Sequence, residues 1–279
     1  MRKLIYIVIT LIITGCRFSG HHSETHYVMN KDNTKDNSNN FVSCVLLSEP
    51  KWDKEKLLKD LNQEWNISSL SEQENDILAG EVDDCTVGIT LIPNPIPNGE
   101  AESYADDNYL WPNAVEIVKS HKAHILITVM GNCDVIKTAK ITTKVVDACL
   151  QQENTIAVFN EIAVYEPKTY HEAAQSLHQN NLPTYNWIWL GIYNNGDVQG
   201  IYTYGMRQFG KEEIEVFANA KTEDIYEFVF DIVNYVINYD VTLKSGETIG
   251  FTENEKLPIT ISNGIAVDGE SIKIAYPSK

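Results

Sequence analysis

Three largely apolar runs constrain the fold of this chain more than any other feature. They occupy residues 41–47, 86–91 and 124–130, in the first half of the sequence. Short apolar runs bounded by turn residues predict buried strands. Because a buried strand needs neighbours over both of its faces, helices or a second sheet must cover these segments.

Segments with a single apolar stripe supply those helices. Leu57, Leu61 and Trp65 recur on one face of a helix that begins at Asp53. Asp134 suits the N-cap of another helix, which ends near residue 150. Further helices are predicted within residues 104–120 (beginning near Trp111, where Pro112 fits the first turn), 170–179 and 222–239.

The last third of the chain is rich in predicted strands. Asn194-Asn195-Gly196-Asp197 is a strong hairpin signal between two of them. The strands are predicted at residues 186–193, 199–204, 213–217, 248–251, 257–262 and 272–276. Strands and helices do not alternate strictly, which favours an α+β fold with mixed sheets and helices packed on them. Two similar-sized halves that meet near residue 182 are compatible with this order.

The first sixteen residues predict the compartment. Arg2 and Lys3 precede a short apolar segment, and Ile13-Thr14-Gly15-Cys16 resembles the lipobox of bacterial lipoproteins. The resemblance implies that residues 1–15 are a signal peptide cleaved before Cys16, which then carries diacylglycerol and a further acyl chain such as palmitate. We therefore expect a lipid-anchored protein of the bacterial cell envelope, facing the periplasm or the exterior. The alternative is an uncleaved signal anchor.

Residues 16–40 read as a polar, flexible tether and residues 41–279 as the globular part. The tether lacks hydrophobic periodicity and carries His21, His22 and His26. These histidines could bind a stray metal ion, but a disordered tether explains them more simply.

The chain is strongly acidic, with a formal net charge of −17. Removal of residues 1–15 would leave 20 basic against 39 acidic residues, because that segment contains two basic residues and no acidic one. Such a surface repels nucleic acid, and it favours either a basic protein partner or simple solubility.

Four cysteines remain once Cys16 is assigned to lipid: Cys44, Cys85, Cys133 and Cys149. An oxidising compartment permits two disulfides with three connectivities, and four buried free thiols are the slightly preferred alternative. The predicted helix between Cys133 and Cys149 would hold them about 20 Å apart, which excludes a disulfide between these two.

The loop after the strand at residues 86–91 is the main site candidate, because it combines three prolines with Asn94, Asn98, Glu100 and Glu102. His121 and His124 follow, and with the two glutamates they could hold zinc or transfer protons. The chain has no His-Glu-x-x-His motif. We therefore predict no metal or other cofactor, and structural roles for both histidines.

Two other patterns carry weaker signals. The segment from Gly205 to Lys211 begins like a phosphate-binding loop, but Glu212 stands where a hydroxyl is needed, so nucleotide binding is rejected. Several aromatic residues could line a carbohydrate groove, although residues that alternate along strands more often pack a sheet. These residues are Trp187, Trp189, Tyr193, Tyr202 and Tyr204.

Several motifs in order resemble a bacterial family known as domain of unknown function 4261. They include Trp111-Pro112-Asn113-Ala114, Asn186-Trp187-Ile188-Trp189 and Tyr202-Thr203-Tyr204-Gly205-Met206, and the resemblance covers about residues 41–279. The family has no established activity, so it implies no catalytic roles. By resemblance, a binding surface would include Asn94, Asn98, Trp111, Trp187 and Tyr204.

Two function hypotheses follow. The first is a non-enzymatic protein-binding module, for example an immunity-type protein that sequesters a basic toxin. The alternative is an envelope hydrolase that uses Glu100 or Glu102 with His121 or His124. The missing catalytic motifs favour binding over enzymatic activity.

Overall fold

The computed structural model describes residues 40–131, 134–195, 198–252 and 255–277. Residues 38–279 form one compact unit. The predicted signal peptide, Cys16, the tether and its three histidines lie outside the described residues. None of the described helices is both long enough and apolar enough to cross a membrane.

The described part of the chain contains seven α-helices and thirteen strands, which confirms the α+β class. The strands are β1 (Phe41–Leu47), β2 (Ser71–Glu72), β3 (Ile77–Val82), β4 (Cys85–Ile92), β5 (Ala123–Met130), β6 (Thr155–Phe159), β7 (Val164–Tyr165), β8 (Trp189–Asn195), β9 (Val198–Tyr204), β10 (Ile214–Ala218), β11 (Thr248–Ile249), β12 (Leu257–Asn263) and β13 (Glu270–Ile274). The helices are α1 (Lys54–Trp65), α2 (Glu100–Asp106), α3 (Ala114–Lys119), α4 (Val135–Cys149), α5 (Pro167–Ala174), α6 (Thr184–Trp187) and α7 (Thr222–Asn238).

The first sheet has seven strands in the order β2-β3-β4-β5-β1-β6-β7, and its strand pairs are antiparallel. Helix α4 packs on β1 and β5, and α1 packs on α4. Fully buried side chains such as Val45, Ile125 and Val146 fill the space between them. The three apolar runs predicted as buried strands therefore form β1, β4 and β5 at the centre of this sheet.

The second sheet has six strands in the order β11-β12-β13-β10-β9-β8. It is mixed, because β10 and β13 are parallel while the other pairs are antiparallel. Helix α7 covers one face and packs most closely on β9 and β10. Ile201, Val216 and Ile232 form the centre of this second core and are fully buried.

The predicted cap at Asp134 is confirmed, and Asp53, where a helix was predicted to begin, is also an N-cap. The Asp53 carboxylate accepts a hydrogen bond from the backbone N–H of Lys56, and Asp134 accepts from Ile136 and Lys137. In each case the carboxylate occupies amide groups of the first helical turn that have no partner within the helix.

The helix predicted within residues 104–120, with its start near Trp111, is confirmed in part as α3, while residues before Asn108 belong to a separate short helix, α2. Asn108 breaks the segment, since its side-chain oxygen accepts hydrogen bonds from the N–H groups of Leu110 and Trp111. The strand predicted from residue 186 is wrong at its start. Residues 184–187 form the short helix α6, and the strand begins only at Trp189.

The slight preference for free thiols is wrong at Cys85, which is disulfide-bonded. Its sulfur is fully buried and lies 3.8 Å from the Thr138 hydroxyl oxygen of α4. Cys44 and Cys149 are buried thiols.

The Asp134 cap gives a direct test of this architecture. We expect Asp134→Ala to lower the free energy of unfolding by about 1 kcal/mol, because two amide groups at the start of α4 lose their acceptor. Urea denaturation followed by circular dichroism measures the change. Asp134→Asn is the matched control and should lose much less, since asparagine also caps helices. Equal losses in the two variants would contradict the capping role.

Candidate functional site

The proline-rich loop between β4 and α2 is held by the two predicted site histidines. His121 is buried, and its Nε2 accepts a hydrogen bond from the Ile96 N–H at 2.8 Å. Its Nδ1 lies 2.6 Å from the Val118 carbonyl oxygen. His121 therefore acts as a neutral imidazole that donates from Nδ1 and accepts at Nε2, and neither nitrogen remains open to a metal ion.

His124 fixes the other side of the same loop. Its Nδ1 lies 3.0 Å from the Asn94 carbonyl oxygen. Burial lowers the pKa of His124 to about 4, although the hydrogen bond with the Asn94 carbonyl acts in the opposite direction, so the ring stays neutral at physiological pH. The described residues contain no group of three or more histidine, cysteine or acidic side chains that could hold a metal ion.

Glu100 and Glu102 lie in the first turn of α2 and have different partners. Glu102 lies with one carboxylate oxygen 3.9 Å from His121 Nδ1. Glu100 is half-buried beside Glu161, which occupies the turn between β6 and β7. Burial raises the pKa of Glu100, and the negative charge of Glu161 raises it further. The structure therefore separates Glu100 from the histidines with which the sequence had grouped it.

Tyr104 and Tyr204 form a cluster with Glu100 and Glu161 between the two sheets. Tyr104 of α2 packs against Phe159 with ring centroids 5.2 Å apart, and its hydroxyl interacts with that of Tyr204 at the end of β9. Burial raises the pKa of both tyrosines, so both hydroxyls remain protonated. Glu161 has a left-handed backbone with a φ of 61°, which is uncommon for a residue with a side chain.

The remaining predicted binding residues are scattered. Trp187 lies in the second core, where it stacks on Phe209 and donates from its indole N–H to the Thr143 hydroxyl at 2.8 Å. Trp111 is half-buried at the turn before α3, while Asn94 and Asn98 are exposed on the proline-rich loop. Of these five residues, the structure places Tyr204 in the cluster with Glu100.

The face of the second sheet opposite α7 carries further aromatic residues near Tyr204. Strand pairing places Tyr202, Phe217 and Lys273 on this face. A side chain at Gly191 would meet the Tyr202 ring at 2.1 Å, and one at Gly200 would meet the Phe217 ring at 2.4 Å. Both aromatic rings therefore lie flat across glycines of the neighbouring strands, and glycine is required at both positions.

A depression of about 420 Å³ continues this face toward β12. Its lining includes Phe217, Thr260, Ser262, Ile265 and Lys273. We call the surface formed by Tyr193, Tyr202, Tyr204, Phe217, Thr260 and Ser262 the open face. The alternating aromatics Tyr193, Tyr202 and Tyr204 were visible in the sequence, whereas Phe217 joins them only through strand order.

The segment that begins like a phosphate-binding loop holds the side chain of Glu213 instead. The Glu213 carboxylate accepts hydrogen bonds from the backbone N–H groups of Gly205, Met206 and Arg207 and from the Thr203 hydroxyl. Those amide groups would face a phosphate in a nucleotide-binding loop. The rejection of nucleotide binding thus has a structural reason.

Residues 202–275 match the model of a family described as a domain of unknown function, DUF4261. No curated protein and no solved structure matches the chain. The matched segment supplies the end of β9, strands β10–β13 and α7. It therefore includes most of the open face, and the wider resemblance across residues 41–201 stays a prediction.

The depressed pKa of His124 predicts a specific pH dependence. The unfolded imidazole titrates near 6.5 and the folded one near 4, so acidification between these values protonates the unfolded state first. The native state should lose of the order of 3 kcal/mol over this range. His124→Asn, which keeps a donor for Asn94, should remove that part of the pH dependence.

Urea denaturation between pH 7 and 4 measures this difference. The matched control is Gln179→Asn, because Gln179 is exposed and carries no ionisable group. It should retain the wild-type slope. An unchanged slope in His124→Asn would show that His124 does not stay neutral in the fold.

Proposed function

We propose that this chain is a non-enzymatic binding module that captures a basic protein partner on its open face. The main observation behind this proposal is that the rings of Tyr202 and Phe217 lie flat over Gly191 and Gly200. Tyrosine and other aromatic residues offer large contact areas with little loss of side-chain entropy, so they dominate the energetics of many interfaces.

Charge complementarity identifies the chemistry of the partner. Glu100, Asp106 and Glu161 form no salt bridge with any other described residue. Asp107 lies close enough to Tyr202 to raise the pKa of that hydroxyl, after the larger effect of burial. Asp107, close to Tyr202, and Glu161, close to Tyr204, border the open face, and the chain as a whole carries −17. A basic protein is favoured both at encounter and in the complex.

The geometry supports hydrolysis less well. Backbone groups engage both nitrogens of His121, and His124 is buried against the loop that it holds. Glu100 and Glu161 remain a carboxylate pair, but no described histidine, cysteine or serine is placed beside them as nucleophile or base. Binding is therefore the function that the site supports best.

Mutation of the open face tests the proposal. The full chain serves as bait in a pull-down from envelope extract, and the captured partner is then titrated against variants. We expect Tyr202→Ala to weaken binding about 30-fold, corresponding to a central interface residue worth about 2 kcal/mol. Binding should also weaken as salt is raised, because the partner is basic.

Tyr239→Ala is the matched control, because Tyr239 is 74% exposed and lies past the end of α7, away from the open face. It should bind within about twofold of the wild type. Recovery of no stoichiometric partner, or an equal effect of the two tyrosine variants, would overturn the proposal.

We further propose that lipid on Cys16 holds the module at the bacterial envelope. The support is the lipobox-like sequence after a basic and apolar segment. Cys16→Ser should move the protein from the membrane fraction to the soluble fraction and abolish metabolic labelling with palmitate. Arg17→Ser, which leaves the cysteine intact, is the control. Retention of the label in Cys16→Ser would contradict lipidation at this residue.

A further inference from the structure

Strand β8 forms the one long edge among the four edges of the two described sheets. The other three edges, β2, β7 and β11, are two residues each, whereas β8 has seven. Proteins shorten, charge or cover their edge strands because an unpaired edge accepts further strands. The sequence of β8, Trp-Leu-Gly-Ile-Tyr-Asn-Asn, contains neither a charge nor a proline.

The backbone groups of β8 that face away from β9 can be identified from the hairpin. Asn195 and Val198 form the pair at its closed end, and Tyr193 pairs with Gly200. In an antiparallel ladder these residues bond to β9, so the groups of Leu190, Ile192 and Asn194 point outward. The Leu190 carbonyl oxygen agrees, since it accepts a hydrogen bond from the Tyr109 hydroxyl at 2.5 Å.

Ile192 and Asn194 offer the pattern that an added strand requires. Their backbone N–H and C=O groups form no hydrogen bond with another described residue outside the β8–β9 hairpin, and the Ile192 side chain is 40% exposed. Alternate residues of a strand repeat about every 7 Å, so the two residues present successive donor and acceptor pairs to an extended chain. Tyr109 covers the edge only at Leu190.

The residues around the β8 edge determine which extended chain fits. Tyr226 and Phe230 of α7 stack with centroids 6.2 Å apart, and Tyr226 is close enough to Tyr109 to influence its hydroxyl. Asp107, two residues before Tyr109, is close enough to Tyr202 of the neighbouring strand β9 to influence its hydroxyl as well. Asp107 is exposed and forms no salt bridge with a described residue, so a negative charge lies beside this edge.

We propose that β8 receives an extended, basic segment of the partner protein as an added strand, with lysine or arginine side chains facing Asp107 beside this edge. This proposal rests on the proposed function and specifies how the partner is held. A second copy of this chain is a poorer occupant, because each copy carries −17 and the two would repel. The added strand would continue the second sheet and place its other side chains beside the open face.

A defined peptide tests the edge without the natural partner. The probe is acetyl-Lys-Val-Lys-Val-Lys-Val-Lys-amide, labelled for fluorescence anisotropy and titrated with the full chain at low salt. We expect saturable binding, and we expect methylation of alternate peptide nitrogens to weaken it about tenfold through the loss of two or more backbone hydrogen bonds. The corresponding glutamate peptide should not bind.

Two substitutions at one position separate backbone from side chain. Ile192→Pro removes the outward N–H and leaves the bonds to β9 in place, so it should weaken peptide binding about tenfold. Ile192→Thr keeps the N–H and should bind within about threefold of the wild type. Hydrogen exchange should show new protection at Ile192 and Asn194, with no change at Tyr193.

Each outcome decides the proposal. Equal binding of the unmethylated and methylated peptides would contradict pairing of the peptide backbone with β8. This comparison uses the wild-type chain, so it remains valid even if Ile192→Pro fails to fold. Failure of the lysine peptide to bind would also contradict the proposal. So would a concentration-dependent dimerisation of the chain that Ile192→Pro abolishes, because a second copy would then occupy β8. Capture of a natural partner that depends on Tyr202 but not on Ile192 would leave the proposed function standing and remove only the added strand.

Discussion

The second sheet depends on the pairing of one buried carboxylate. Glu215 of β10 is fully buried and lies 2.6 Å from the Lys273 ammonium of β13. It also accepts hydrogen bonds from the Ser271 hydroxyl and from the N–H groups of Ile265 and Ala266. Removal of one partner from such a pair leaves an unpaired buried charge, which destabilises a fold by about 3–5 kcal/mol. Glu215 thereby joins β10 and β13 to the loop before β13.

Glu213 lies two residues earlier and has the opposite electrostatic character. Burial raises its pKa despite the hydrogen bonds that it accepts. At Glu215 burial also raises the pKa, but Lys273, Ser271 and the backbone N–H groups lower it overall. Glu215 thus contributes stability that is lost as the pH falls through its folded pKa, while Glu213 contributes stability that is present at low pH and lost as the pH rises. Both carboxylates lie within the segment that matches the family of unknown function, so the packing of that segment is built around them.

Sequence patterns predict the fold well where apolar residues determine the local structure. They predict it poorly where hydrogen bonds between polar groups determine it. The runs that became β1, β4 and β5, the aspartate caps and the long helix α7 follow from periodicity and local hydrogen bonding. The alternation of residues 213–217 predicts a half-buried strand, a pattern that leaves one face to solvent, yet both glutamates are buried. Their partners, Lys273 and the amide groups after Gly205, are distant in sequence or belong to the backbone. The break at Asn108 is similar, because one side-chain amide redirects the chain.

The same limit applies to the candidate site. Glu100 and Glu102 look like a pair in sequence, but α2 turns one toward His121 and the other toward Glu161. Glu161 itself gives no sequence signal, since its position beside Glu100 arises only when α2 and the β6–β7 turn are packed together.

The distribution of satisfied polar groups favours recognition over catalysis. Catalytic sites keep a nucleophile, base or ligand position open to substrate. Here His121, Glu213, Glu215 and Lys273 are the strongest polar groups, and the protein's own backbone or side chains engage all of them. Within the described residues, the groups that the fold leaves accessible to an outside partner include flat aromatic rings, surface acids outside the salt bridges and the backbone of β8. Such groups recognise a chain by shape, charge and main-chain hydrogen bonds.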